Sequence, residues 1–258
     1  MGKYILKRIA LAIVTIWAVA TITFFLMNLV PGGPFLSEKA ISPAATKALE
    51  AKYGLDKPMA ERYFTYISDA AHGDFGDSLK QRGRTVMDII ATKFPVSAKL
   101  GGMAVVLALC VGVPLGVLAA YKRGTFIDSL FSVIATCGIA VPGFVICTLL
   151  LYVFGVKLQW LPTLGLKSAQ SYIMPVVALA AYPTSYIMRL MRSSMLDVLG
   201  QDYMRTAKAK GLSQKVSLFK HALRNAILPV ITYVGPMLAY TLTGSFVTEK
   251  IFTIPGLG

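Results

Sequence analysis

The stretch YMRTAKAKGLSQKVSLFKHALRNAILP, residues 203–229, holds six Lys or Arg and neither Asp nor Glu, and it lies between two long apolar runs. Gly211 divides it into two short pieces of helical composition. In a soluble protein such a run would be a solvated face. Between two segments of membrane length it has to be a loop on one side of a bilayer, and its charge says which side. The reading of the fold therefore turns on whether the flanking segments cross a membrane.

The chain is 55% hydrophobic and only 15% charged, whereas soluble domains are about one quarter charged. A helix needs about 20 apolar residues to cross the hydrocarbon core. Five segments reach that length: 9–30, 100–121, 126–156, 172–191 and 226–247. Backbone groups in lipid must bond within their own segment, which predicts helices. The alternating ten-residue pattern of a membrane β-barrel is missing. The fold class is thus an all-α polytopic membrane protein with five predicted crossings. Lys3, Lys7 and Arg8 precede the first run as in a signal peptide. That run is long, and MNLVPGGP offers no small-x-small cleavage motif, so we read it as a retained helix. The organisation is a membrane helix over 1–30, an external segment over 31–98 and a membrane core over 99–258, with the basic loop at about 192–225. Pro255-Gly256-Leu257-Gly258 is a turn signal, and a sixth helix is expected after Gly258.

With the N-terminus inside, the inner loops carry a net charge of +10 and the outer segments +4 of the total +14. The short loops agree with the positive-inside rule. The high pI is therefore a topology signal and does not indicate nucleic-acid binding.

The external segment suggests three helices. One starts at Ser42-Pro43, as N-cap and first helical residue, and is closed by Gly54. A second runs from Pro58 to Ala71 with Tyr63, Phe64 and Ile67 on one face. After the turn-rich HGDFGDS, Thr85 and Asp88 form a capping-box pattern for a short third helix, whose Val86, Ile89, Ile90 and Phe94 would lie on the membrane surface. This segment reads equally as a lid over loops and as a docking surface for an external partner.

Cys110, Cys137 and Cys147 fall inside predicted helices and read as packing residues. No metal-ligand spacing occurs, and His72 and His221 lie on opposite sides of the membrane. No catalytic constellation is visible. Gly and Pro recur inside the helices, mostly as packing devices. Pro142, Gly143, Gly235 and Pro236 are the candidates for lining or gating a path. No P-loop occurs, so the chain has no ATP site of the Walker type. The centres of the segments lack ionisable residues, unlike ion-coupled carriers. A transporter of this composition would take its energy from another subunit acting on the inner loops.

The loop itself resembles the EAA loop of ABC importer permeases, whose pattern is Glu-Ala-Ala, three residues, Gly, and a run ending in Leu-Pro. Arg205-Thr206-Ala207 occupies the first three places and Gly211 the glycine. Arg205 replaces the acid, and Leu223-Arg224 stands where Leu-Pro would fall, with Leu228-Pro229 following. These departures resemble the peptide and nickel branch of the family. Further matching pieces are PGGP at 31–34, YGLDKP at 53–58, HGDFGDS at 72–78, FPVSAKLG at 94–101, RSSMLDVLGQDY at 192–203 and TEKIFTIPGLG at 248–258. Lys250 departs from the Thr or Val of that branch. Detail in the outer segment and FPVSAKLG resembles most the B-type permease of oligopeptide importers, ahead of its dipeptide and nickel relatives; import of oligopeptides or dipeptides is the function this implies.

The resemblance implies a type I ABC importer permease fold in a bacterial inner membrane, with the N-terminus cytoplasmic. It implies a C-type permease partner, two ATPase subunits that bind ATP and Mg, a periplasmic peptide-binding protein, a peptide substrate and surrounding lipid. No cofactor is implied in this chain. The ATPase-coupling residues would be Arg205, Thr206, Ala207, Lys208, Lys210, Gly211 and Leu212, with the face of Met204 and Ala207 inserted into a groove on the ATPase. Gly211 would supply the left-handed turn and Ser213 the cap of the second piece. Lys208, Lys210, Lys215 and Lys220 also read as topology or headgroup contacts. The competing functions are a nickel permease of the same family and a stand-alone channel or secondary carrier. A membrane-embedded enzyme would show His pairs or buried acids.

Overall fold

The computed structural model describes residues 2–29, 54, 56–78, 81, 83–213 and 216–258. The predicted helix from Ser42 lies outside them. The described residues are helical apart from turns and one isolated bridge between Asp77 and Thr85. The chain divides into two compact units, Met1–Ile90 and Ala91–Gly258.

In the first unit, helix α1 (Gly2–Leu29) is apolar around its whole circumference and buries none of its residues. At 1.5 Å per residue it is about 42 Å long, enough to cross a bilayer. Helix α2 (Met59–Ala71) follows Pro58 at its N-cap. It meets α1 through Tyr63, whose ring stacks on Phe25 at 5.6 Å and whose hydroxyl bonds Thr21 at 2.8 Å. Tyr66 stacks on Phe24, and Arg62 donates to Asn28 at 2.6 Å. Phe64, expected on the same face as Tyr63, is instead 70% exposed.

The Thr85–Asp88 capping box forms as expected. The Asp88 amide donates to Thr85 Oγ1 at 3.1 Å, and the Thr85 amide to Asp88 Oδ2 at 3.4 Å. The helix it starts does not stop after three turns. Helix α3 runs from Val86 to Tyr121, 36 residues, with Pro95 and Pro114 inside it. The short surface helix and the second predicted span are therefore one element. A proline removes a single backbone donor, and a membrane helix tolerates it where neighbours re-satisfy the freed carbonyl.

The third predicted span, 126–156, is not a single helix. Helix α4 (Phe126–Ala140) ends at Val141, and α5 (Gly143–Leu150) starts after Pro142 and continues as a π-helical turn, Leu151–Lys157. The two halves are bent by 102°. Proline pushes its preceding residue out of the helical region, and Val141 is extended at φ −74°, ψ 122°. Apolar composition alone does not show such a break.

A 3-10 turn (Ala169–Tyr172) leads into helix α6 (Ile173–Leu199). Helix α7 (Asp202–Ala209) follows. A π-helical turn at Ser217–Ala222 and a helical turn at Leu223–Ala226 connect to α8 (Leu228–Leu242), and α9 (Phe246–Ile251) is the last. The fifth predicted span is thus divided between α8 and α9. Among the described residues, four helical stretches are long and apolar enough to cross a membrane, or up to five if the bent pair is one span.

Helix α6 is the centre of the second unit. Twelve of its residues are buried. Its first half joins Leu100, Ala104, Cys147, Phe252 and Ile254 in one apolar cluster. Its second half joins Val105, Val117, Met204, Leu218 and Met237 in another. Helix α3 reaches α6 where it has no side chain. A Cβ at Gly112 would stand 2.8 Å from the Thr184 carbonyl oxygen, and one at Gly116 would stand 2.6 Å from that of Met188. Small residues allow this approach, and packing rather than hydrophobic transfer holds helices together in lipid. Of the three cysteines only Cys147 is buried. Cys110 and Cys137 are exposed on the surface of the chain, so the packing reading holds only for Cys147.

One ion pair ties α4 to α6. Arg192 donates from Nε to Asp128 Oδ1 at 2.5 Å and from Nη2 to Oδ2 at 2.8 Å. The Gly124 amide adds a third bond to the same carboxylate. Asp128 is buried, so removing one partner leaves the other charge uncompensated. Arg192→Met leaves the buried Asp128 carboxylate unpaired and is expected to destabilise the protein by about 3 kcal/mol, and the double variant with Asp128→Ala by clearly less, since replacing both charges removes the unpaired one. Thermal unfolding in detergent measures both. Equal losses would contradict the pairing.

Candidate functional site

Three structures in the second unit have functional form: the basic loop at the C-terminal end of α6, a cavity beside the α4–α5 break, and a buried polar knot near the N-terminal end of α6.

The basic loop folds as its sequence predicts in two respects. Gly211 has φ +73°, the left-handed conformation that glycine adopts without a Cβ penalty. There the Leu212 amide bonds back to the Ala207 carbonyl at 3.3 Å and the Lys210 amide to Thr206, closing the last turn of α7 in a Schellman-like way. Ser213 accepts from the Val216 amide at 3.4 Å, as a cap for the piece that follows. In a third respect the expectation fails. Met204 is 1% exposed and Ala207 7%, and Met204 packs in the cluster of Met195, Leu218 and Ala222. An amphipathic helix of eight residues has one apolar face, and the unit's own core takes it. The outward face of α7 is therefore Asp202, Tyr203, Arg205 and Thr206, continued beyond the helix by Lys210, Gly211 and Leu212. Tyr203 is held by a 2.9 Å bond from Asn225. Arg205 and Asp202 pair at 3.6 Å in full exposure, which contributes little. The Lys208 side chain and residues 214–215 lie outside the described residues.

The cavity has a volume of about 640 Å³ and lies among the α4–α5 break, α6, α8 and the start of α9. Pro142, Gly143 and Pro236 line it, together with Tyr182, Tyr233 and Tyr240. Gly235, proposed with them from sequence, does not, and open space surrounds its α-carbon. No Asp, Glu, Lys, Arg or His is among the lining residues.

The polar knot was missed by sequence reasoning. Glu249 on α9 is 2% exposed, although the readings above placed no buried acid in the fold. Its Oε1 accepts from Ser97 Oγ on α3 at 2.7 Å, and its Oε2 from the Gly258 amide at 2.7 Å. Ser97 Oγ in turn accepts from the Leu257 amide at 2.8 Å. Ser245 caps α9 through the Thr248 amide, and Phe252 behind it is 1% exposed. The available signal was Glu249, two residues before IFTIPGLG: an ionisable residue at a helix end followed by a Pro-Gly turn that folds back over it.

These features define a helical, multi-pass membrane protein with an exposed basic segment and a cavity whose lining carries no formal charge. Comparison with known proteins gives the family. Residues 112–258 match the family described as "Binding-protein-dependent transport system inner membrane component", and residues 1–101 match its N-terminal companion. The chain is 45% identical to the oligopeptide transport system permease protein OppB of Salmonella typhimurium, over all of this chain and 85% of that protein. It is 46% identical to the dipeptide transport system permease protein DppB of Bacillus subtilis, over all of this chain and 84% of that one. It is 43% identical to OppB of Escherichia coli, over all of this chain and 85% of that protein. Among solved structures, an amino acid ABC transporter crystallised with histidines aligns at a TM-score of 0.48 and 18% identity, over 66% of this chain and 75% of that one. The chain belongs to the binding-protein-dependent transport system inner membrane component family. It is a multi-pass inner-membrane permease subunit of a multi-subunit transporter.

Glu249→Ala should release the loop over it. Amide hydrogen exchange at Gly258, which donates to Glu249, is expected to rise by about tenfold, as befits the loss of one hydrogen bond worth about 1.4 kcal/mol, with Leu257 following as Ser97 loses its own partner. Unchanged exchange would mean that the loop is held by Phe252 and Ile254 alone.

Proposed function

We propose that the chain forms one half of the membrane path of an ATP-driven importer that takes oligopeptides or dipeptides from an external binding protein into the cytoplasm. Its N-terminus and α7 lie on the cytoplasmic side, as the excess of basic residues there supports. A C-type permease is the second half. Two ATPase subunits, which hold ATP and Mg, dock on α7 through Arg205, Thr206, Lys210, Gly211 and Leu212. Ala207 and the turn at Gly211 act from behind, by setting the angle of that face. Lys208 belongs to the same loop by position. Peptide transport by the relatives OppB and DppB supports the peptide reading over the nickel alternative.

The observation that carries this reading is the division of α7 into two faces. One is fixed to α6 through Met204, and the other is exposed and continues into the basic segment. A stand-alone channel or carrier has no need of an exposed helix clamped to its central span, whereas a subunit driven from outside does. A push on α7 reaches α6 through Met195 and Met204, and α6 forms one wall of the cavity bordered by Pro142, Gly143 and Pro236. Gly235 lies one residue from that wall. Peptide would leave the binding protein and pass along this wall when the two permeases part.

Purification in mild detergent should recover a second permease and two ATPase subunits, while a chain that repeatedly emerges alone would contradict the proposal. Gly211→Val forces a β-branched residue into the left-handed region, at a cost of about 1–2 kcal/mol, and tilts the docking face. Peptide uptake is expected to fall at least tenfold with normal membrane insertion. Normal uptake by this variant would remove α7 from the coupling path.

A further inference from the structure

The cavity beside the α4–α5 break holds an arrangement that the coupling reading does not use. Tyr182 and Tyr186 are one turn apart on α6, with rings stacked at 6.3 Å and 20°. Tyr186 meets Tyr233 of α8 across the helix interface at 4.4 Å. Tyr240 lies two turns further along α8. Tyr182, Tyr233 and Tyr240 line the cavity, and Tyr186 backs the ring of Tyr233. Ser245 and Thr248 complete the polar part of the lining, and the rest is apolar, with Phe144 and Met237 among aliphatic side chains, prolines and one glycine.

We propose that Tyr182, Tyr233 and Tyr240 form a transit site that holds the main chain of the peptide during passage and leaves its side chains unread, with Tyr186 positioning Tyr233. This rests on the peptide-importer reading given above.

The chemistry points this way on three grounds. First, a peptide in a water-poor passage carries one donor and one acceptor per residue that must be satisfied. A phenol offers both roles from one rotatable hydroxyl, so it can follow a main chain that slides past in either register. Second, the lining is free of formal charge. A fixed carboxylate or ammonium in a low-dielectric passage would hold oppositely charged peptides for too long and repel those of like charge. Aromatic faces accept apolar side chains and cations alike. Third, the volume lies within the ~300–1,000 Å³ of sites that enclose small molecules, which suits a short stretch of peptide and is far larger than a metal ion needs. A lipid acyl chain would have no use for three phenols, and it is the alternative occupant that the test separates.

The test uses the complete transporter in proteoliposomes, with its binding protein outside and radiolabelled Ala-Ala-Ala, Ala-Lys-Ala and Ala-Glu-Ala as probes. The unsubstituted complex is measured first. If it imports none of them, the peptide reading fails, and this proposal with it. If it does, the triple variant Tyr182→Phe, Tyr233→Phe, Tyr240→Phe keeps the rings and removes the hydroxyls. It should slow all three peptides by a similar factor, about three- to tenfold. Tyr182→Asp adds a charge and should shift the uptake ratio of Ala-Lys-Ala to Ala-Glu-Ala at least tenfold from that of the unsubstituted complex. Unchanged rates in the first variant together with an unchanged ratio in the second would overturn the proposal. A photo-reactive benzoylphenylalanine at Tyr240 gives a readout independent of rate. Capture of labelled peptide supports the site, and capture of lipid alone in an actively importing complex overturns it.

Discussion

The second unit depends on how closely α3 can approach α6. Lipid offers helices no hydrophobic reason to associate, since a neighbouring acyl chain is as apolar as a leucine. What remains is close packing, and Gly112 and Gly116 allow α3 to touch the backbone of α6 at Thr184 and Met188. A methyl group at either position would press on the backbone of α6. Once α6 is fixed, Asp128 and Arg192 attach α4 to it, Met204 attaches α7, and the two apolar clusters close around its halves. Helix α6 is then a shaft about 40 Å long. Its C-terminal end carries the exposed basic segment, its middle carries Tyr182 and Tyr186, and its N-terminal end meets the loop held by Glu249.

Much of this architecture was legible in the residues. Hydropathy found the spans because a bilayer demands long apolar segments, and the charge of the short loops supplied an orientation. It failed where backbone chemistry overrides composition. Val141-Pro142-Gly143 turns an apolar run of more than 30 residues through 102°, and no average over that run reveals it. At 86–121 the opposite happened. The short helix from Val86 and the span from 100 read as two elements, yet one helix runs through both, Pro95 included, because one missing amide donor is tolerated once the surrounding helix is packed.

The site divides along similar lines. Gly211 and Ser213 were readable because their roles are local: a positive φ and a cap are decided within a few residues. Met204 and Ala207 were read on the wrong side of α7, because an apolar stripe does not say whether it faces its own protein or a partner. The knot of Ser97, Glu249 and Gly258 joins residues about 150 positions apart. The pairings of Asp128 with Arg192 and of Tyr186 with Tyr233 are likewise matters of tertiary geometry, and single-sequence patterns hold no trace of them. Pro142, Gly143 and Pro236 were found as helix breakers. Pro142 and Gly143 line the cavity because the break between α4 and α5 makes room for it, whereas Pro236 reaches it from within an unbroken α8.

The central claim is that α6 and α7 move as one body, so that a push on α7 is passed to the wall of the cavity. Electron-spin distance measurements on the complete transporter address it, with labels at exposed positions Thr206 on α7, Ile173 at the start of α6 and Phe144 on α5, in a background without the native cysteines. Between the nucleotide-free and ATP-trapped states, the account requires the 206–173 distance to hold, and the 206–144 distance with it, since the Asp128–Arg192 pair and the cluster around Cys147 fasten the broken helix to α6. A shift of the 206–173 pair by as much as one helical turn, about 5.4 Å, would show that α7 moves independently of the shaft and would contradict the account.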